Sequence, residues 1–190
     1  MNDKSSGSLK GQTRIKTLLG LFFLLLIFAI AFRVVTGVIG ESQLKRTCRT
    51  ADRVVVNLST WQQNARNMPS FPSYEVADKK SAAELLNAID LKTNWLPFVR
   101  CCCSGDILFE FYEGQNLLAK LSYHHGDALR WRNGPWRGDR DLTDGSKTAI
   151  EQWLKLHDCP TSDEARAIIA KQWKAHRAST ATMPTSDGDS

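Results

Sequence analysis

The sequence predicts an α+β fold: a small antiparallel sheet of three to five strands, packed with about three helices and preceded by one transmembrane helix. Three observations lead there. A charge-free apolar run stands near the N-terminus, β-branched and aromatic runs separated by turn residues follow it, and capping signals open helical periodicities late in the chain. At 190 residues, 42% hydrophobic and 24% charged, the chain has the size and composition of one domain with attachments.

Residues 1–16 are polar and basic, with Lys4, Lys10, Arg14 and Lys16 against Asp3, and read as a disordered stub. Thr17–Phe32 then carries twelve Leu, Ile or Phe and no charge. At about 0.5 kcal/mol each on the insertion scale, these favour the bilayer by roughly 6 kcal/mol. Sixteen helical residues reach only about 24 Å, short of a ~30 Å hydrocarbon core, so the span is expected over Thr17–Gly37. Ala29-Ile30-Ala31 has the form of a signal-peptidase site, but the length and Leu/Phe richness of the run favour an uncleaved anchor. Arg14 and Lys16 abut the span while Lys45, Arg46 and Arg49 stand farther off. The N-terminus is therefore expected inside and the domain on the extracytoplasmic side, single-pass.

Residues 38–52 read as a juxtamembrane connector, residues 53–177 as the globular domain and 178–190 as a disordered tail. The net charge of +5 is not carried by the domain: residues 54–177 hold 16 basic and 15 acidic side chains. A nucleic-acid-binding domain would carry the excess itself, as a groove or stripe, so nucleic acid is excluded as a partner. Basic residues flanking an apolar span suit anionic headgroups instead.

Within the domain, Arg53–Leu58 is a β-branched strand and Tyr74–Val76 a short second one. Ser81-Ala82-Ala83-Glu84 matches a capping box opening a helix through Ile89. Ile107–Tyr112 and Leu117–Tyr123 flank Glu113-Gly114-Gln115-Asn116, a hairpin signal. A one-residue slip exchanges the two faces of a strand, so the apolar residues select pairs whose numbers sum to 228, with Phe109 facing the core. Ala128–Arg132 makes the next strand, Trp131 inward and Arg130 and Arg132 outward. Asp144 or Ser146 caps a helix carrying Ile150, Trp153, Leu154 and His157 on one face. Thr161-Ser162-Asp163-Glu164 opens another, with Ala165, Ile168, Ile169, Gln172 and Trp173 inward.

Five cysteines are too sparse for a disulfide scaffold, and an odd count leaves one unpaired in a monomer. C-x-x-C, G-x-S-x-G, H-E-x-x-H and the P-loop pattern are missing, along with the redox, hydrolase, protease and nucleotide chemistry they signal. Three runs carry other chemistry: Cys101-Cys102-Cys103, His124-His125-Gly126 and Arg130 to Asp141. Cys101-Cys102-Cys103 precedes the first hairpin strand, and the 228 register sets Cys103 opposite His125. Cys101, Cys103 and His125 on one face would suit zinc or copper. Buried structural thiols, or a disulfide with Cys48 or Cys159, are the other readings. Cys103 with His125 is also the minimum for thiolate catalysis. Arg130 to Asp141 concentrates arginine and tryptophan, and Trp136, on a Gly/Pro loop, is the expected exposed contact together with Arg130, Arg132 and Arg137. The functional expectation is a membrane-anchored, non-enzymatic module binding an unidentified protein or small molecule and needing no cofactor. The alternative is a thiol enzyme or metal-binding domain built on Cys103 and His125.

Overall fold

Apolar and polar residues alternate along Arg53–Leu58, and this strand, β1, buries every second side chain: Val54, Val56 and Leu58. The same period of two sets the inward faces of β2 (Ser73–Val76), β3 (Ile107–Glu113), β4 (Asn116–His124) and β5 (Ala128–Trp131). A two-residue strand, β6 (Arg140–Asp141), completes an antiparallel sheet of order β2-β1-β3-β4-β5-β6. These assignments come from a computed structural model, which describes residues 19–28, 40–58, 71–92, 105–136 and 138–181. The sheet thus has six strands, one more than the upper expectation. The extra one, β6, is too short to leave a hydrophobic period.

The β3–β4 hairpin has the expected parity and a different register. Partner numbers sum to 230 from Ile107↔Tyr123 to Phe111↔Ala119, and drop by one at Tyr112↔Leu117 and Glu113↔Asn116. The turn is two residues, Gly114–Gln115, and Leu118 is the extra residue of a bulge between the two registers. Sums of 228 and 230 leave the same side chains inward, which is why Phe109 is 1% exposed as expected.

Three helices cover the apolar face. Helix α1 (Lys79–Ala88) is capped by Asp78, whose carboxylate accepts from the Ser81 N–H at 2.7 Å; the cap is not Ser81 itself. Helix α2 (Asp144–Leu156) is capped by Thr143, one residue before the expected start. Helix α3 (Ser162–Ala181) has the expected capping box, with Thr161 N–H donating to Glu164 Oε2 and Glu164 N–H to Thr161 Oγ1. Its Ala165 is buried, while Ile168, Ile169, Gln172 and Trp173 are half-buried, and it runs four residues into the expected tail. Phe109 meets the Trp153 ring edge-on at 6.5 Å, and Trp153 Nε1 donates to Ser81 O, tying α2 to α1 over the sheet.

Residues 40–47 are helical and belong to this core. Leu44, Cys48 and Ala51 are each at most 3% exposed, and Glu41 accepts from the Leu91 N–H. Over its described part, the expected connector 38–52 is therefore packed structure. Among the described residues no helix is long and apolar enough to cross a membrane, so the span expected over Thr17–Gly37 is not found there; what is described of it is helical residues 19–28.

Candidate functional site

The second face of the sheet is largely polar, because most residues alternating with the core set carry charges, hydroxyls or amides, Val55, Leu108 and Ala128 excepted. Glu110 accepts from Asn57, Tyr112 and Lys120, and Arg53 lies over the Tyr112 ring. Toward β5 this face closes into a buried cluster. Ser122 and His124, two apart on β4, are 0% and 1% exposed, and Arg130 stands across from Ser122 on β5. Ser122 Oγ lies 3.0 Å from His124 Nε2 and accepts from Arg132 Nε at 2.9 Å. Arg130 Nε donates to Asp139 Oδ1 at 2.7 Å, and that oxygen is 3.9 Å from His124 Nε2. Burial pushes the His124 pKa down to about 4, with Arg130 and Arg132 acting in the same direction and Asp139 against them. Burial also lowers the Arg132 pKa, as does Arg130 beside it.

Serine, histidine and aspartate together are the ingredients of nucleophilic catalysis, but their arrangement here differs. A relay needs the imidazole to engage the hydroxyl with one nitrogen and the carboxylate with the other. Here the single atom Nε2 faces both, and the hydroxyl has no exposed surface. The cluster holds β4, β5 and the segment before β6 together. Its sequence signal was the polar i, i+2 pair Ser122 and His124 inside an apolar strand; Asp139, fifteen residues beyond His124, left none.

A second network surrounds Asp106. Its carboxylate accepts from the His125 N–H and from Ser162 Oγ at 2.7 and 2.8 Å, and lies within 3.6 Å of both His125 Nδ1 and an Arg166 nitrogen. Glu151 accepts from Tyr123 OH and the Ser162 N–H, fastening the start of α3 to the sheet. His125 has left the strand at φ 52, with its side chain 47% exposed.

Cys101 and Cys103 lie outside the described residues. A register of 230 places position 105, not 103, across from position 125, and Gly105 at φ +92 turns the chain just before β3. A side chain at 105 would also strike Tyr123 O, at 2.8 Å from its Cβ. Among the described residues no three His, Cys, Asp or Glu converge to hold a metal. The described thiols, Cys48 and Cys159, are free and buried, and burial raises their pKa values to about 12 and about 11.

Trp136 is not exposed. It is 6% exposed, meets Trp131 edge-on at 5.6 Å, and packs on Gly40, where a Cβ would come within 2.5 Å of its Nε1. That indole N–H finds no acceptor among the described residues. Arg130 and Arg132 are engaged as above, and Arg137 lies outside the described residues. Among the described residues an open, shallow pocket of about 570 Å³ lies elsewhere, between β2 and α3. It is lined by Tyr74, Lys155, Cys159, Pro160, Glu164 and Ile168 among others. No family model, no curated protein and no solved structure matches this chain.

Proposed function

We propose that the chain is a single-pass, membrane-tethered binding module without catalytic chemistry, its domain on the extracytoplasmic side. The observation that carries this is the helical stretch 19–28, whose nine large apolar side chains are each 39–69% exposed. Leaving such side chains fully in water forgoes roughly 1.5–3 kcal/mol each, a sum of the same order as the ~5–15 kcal/mol that holds a typical domain folded. At 100° per residue, nine apolar positions within ten consecutive residues surround the helix, whereas a protein partner would need one stripe. Lipid covers all sides at once.

The binding half of the reading rests on the cavity between β2 and α3, which pairs apolar Ile168, Pro160 and Tyr74 with Lys155 and Glu164, the mixture a small ligand or peptide needs. The reactive groups that are described have structural partners: Ser122 holds Arg132, Asp106 anchors α3, and both described thiols stay protonated at neutral pH. Alkaline carbonate extraction of membranes from cells expressing the full chain tests the tether. Retention in the pellet is expected, and release of the intact chain overturns it. Ligand screening by thermal shift, run beside Ala167→Trp to fill the cavity, tests the rest. A stabilising ligand should lose its effect in that variant, and an unchanged shift would remove the cavity from consideration.

A further inference from the structure

The way the tether enters the domain fixes which surface faces the bilayer. Gly40 packs on Trp136, and from there residues 40–52 cross beneath the sheet, so that Asp52 N–H reaches Tyr112 O on β3 and the chain enters β1. The chain thus arrives at the β5 side of the sheet and moves away from it. If the apolar segment ends at Gly37, three Cα–Cα steps separate it from Gly40, a reach of at most about 11 Å in any conformation. The headgroup layer on each side of the hydrocarbon core is itself about 5–8 Å deep. On the membrane-tether reading, Gly40 and with it the corner between β5 and β6 stay inside the headgroup layer or within about 3–6 Å of it. The opposite edge is not so confined: β2 lies four strand spacings from β5, about 19 Å at ~4.8 Å each.

That corner has the build of an interfacial surface. Trp131 and Trp136 stack edge-on behind it, and Gly134 fits against Trp131, where a Cβ would come within 1.9 Å of the ring. Asn133 Oδ1 accepts from both Trp131 Nε1 and the Lys120 N–H, fixing the loop, while Arg132, Asn133 and Pro135 are exposed. Both indoles are buried and brace the corner from within, so its outward chemistry is that of Arg132, exposed while its Nε donates to Ser122 Oγ, and a guanidinium suits phosphate.

We propose that the corner at residues 132–136 is the surface on which the domain rests against lipid headgroups, so that β2 and the cavity beside α3 face away from the bilayer, open to a partner. This rests on the membrane-tether reading. It is tested with the full chain reconstituted in phosphatidylcholine–phosphatidylglycerol vesicles carrying a trace of headgroup-linked benzophenone lipid, illuminated, digested and mapped by mass spectrometry. Domain crosslinks are expected to concentrate in residues 132–136 and 40–46, with none above background in 73–76 or 155–168. Crosslinks at 73–76 or 155–168 equal to those at the corner overturn the proposal, as do crosslinks confined to residues 17–37. Failure of the chain to float with the vesicles is a different result: it removes the tether itself, and this surface with it.

Discussion

Replacing Phe109 by alanine is expected to remove much of the domain's stability. The ring is 1% exposed, sits between Val56 and Leu121 on the neighbouring strands, and lies 6.0 Å from the Tyr123 ring and 6.5 Å from Trp153 on α2. Truncating a buried phenylalanine costs about 3–5 kcal/mol, depending on how far the site can collapse. Here collapse would have to draw the sheet and α2 together at once, and the lost ring contacts add their own ~0.5–1.5 kcal/mol, so the upper half of that range applies. At roughly 2–4 °C per kcal/mol for a domain of this size, the melting temperature should fall by about 10–15 °C. The assay is thermal unfolding of the full chain in detergent micelles, followed by near-ultraviolet circular dichroism. Leu117→Ala serves as the comparison; Leu117 is 41% exposed, so its truncation should stay within about 0.5 kcal/mol. A Phe109→Ala shift under about 3 °C, or one matched by Leu117→Ala, would show that the inward face has been misassigned.

Gly134→Ala should cost about 1–3 kcal/mol by overpacking, because its Cβ would fall inside the Trp131 ring; unchanged stability and tryptophan emission would contradict the packing described. Cys48 and Cys159, with pKa values raised to about 12 and about 11, should alkylate slowly at pH 8 when folded and rapidly in denaturant, as read peptide by peptide by mass spectrometry. Fast labelling of either in the native chain would count against its burial. His124 links stability to acid. Burial keeps it neutral in the folded chain, while the unfolded chain takes up a proton below the ordinary 6.5, so stability should fall as pH drops from 6.5 toward about 4. His124→Gln should flatten that dependence, and an identical slope in the variant would place the acid sensitivity elsewhere.

Elements set by short-range periodicity were legible in the sequence: β1 with its exact bounds, the inward set Ile107, Phe109 and Phe111, and the capping box from Thr161 to Glu164. Register was legible only modulo two. Apolar faces fix parity, whereas the sum of partner numbers depends on the turn, and a two-residue turn with a bulge replaced the four-residue turn the Glu113–Asn116 signal suggests. Trp136 was misplaced for another reason: a Gly/Pro loop reads as exposed, and what buries its indole is Gly40, ninety-six residues earlier. A trace of that contact was present, since Gly40, Leu44, Cys48 and Ala51 recur at helical spacing, a stripe obscured by the cations between them. The Asp139 side of the buried cluster had no such trace, because one carboxylate on an irregular segment carries no period.

Leu118, the surplus residue of the β3–β4 hairpin, separates two constraints that would otherwise collide. The tight turn asks for Tyr112 beside Leu117, the core asks for Phe111 beside Ala119, and one residue must be absorbed between them. Deleting Leu118 would join these two pairs into an unbroken ladder with Phe109, Phe111, Ala119 and Leu121 still inward, at the loss of only Leu118's own half-buried contact with the core. Deleting one residue within Leu121–His124 would instead turn over everything beyond it, carrying charged groups into the core. Single-residue insertions and deletions in this hairpin are therefore expected to be tolerated at position 118 and purged along the rest of β4, so chain length is elastic at one point of the strand and rigid elsewhere.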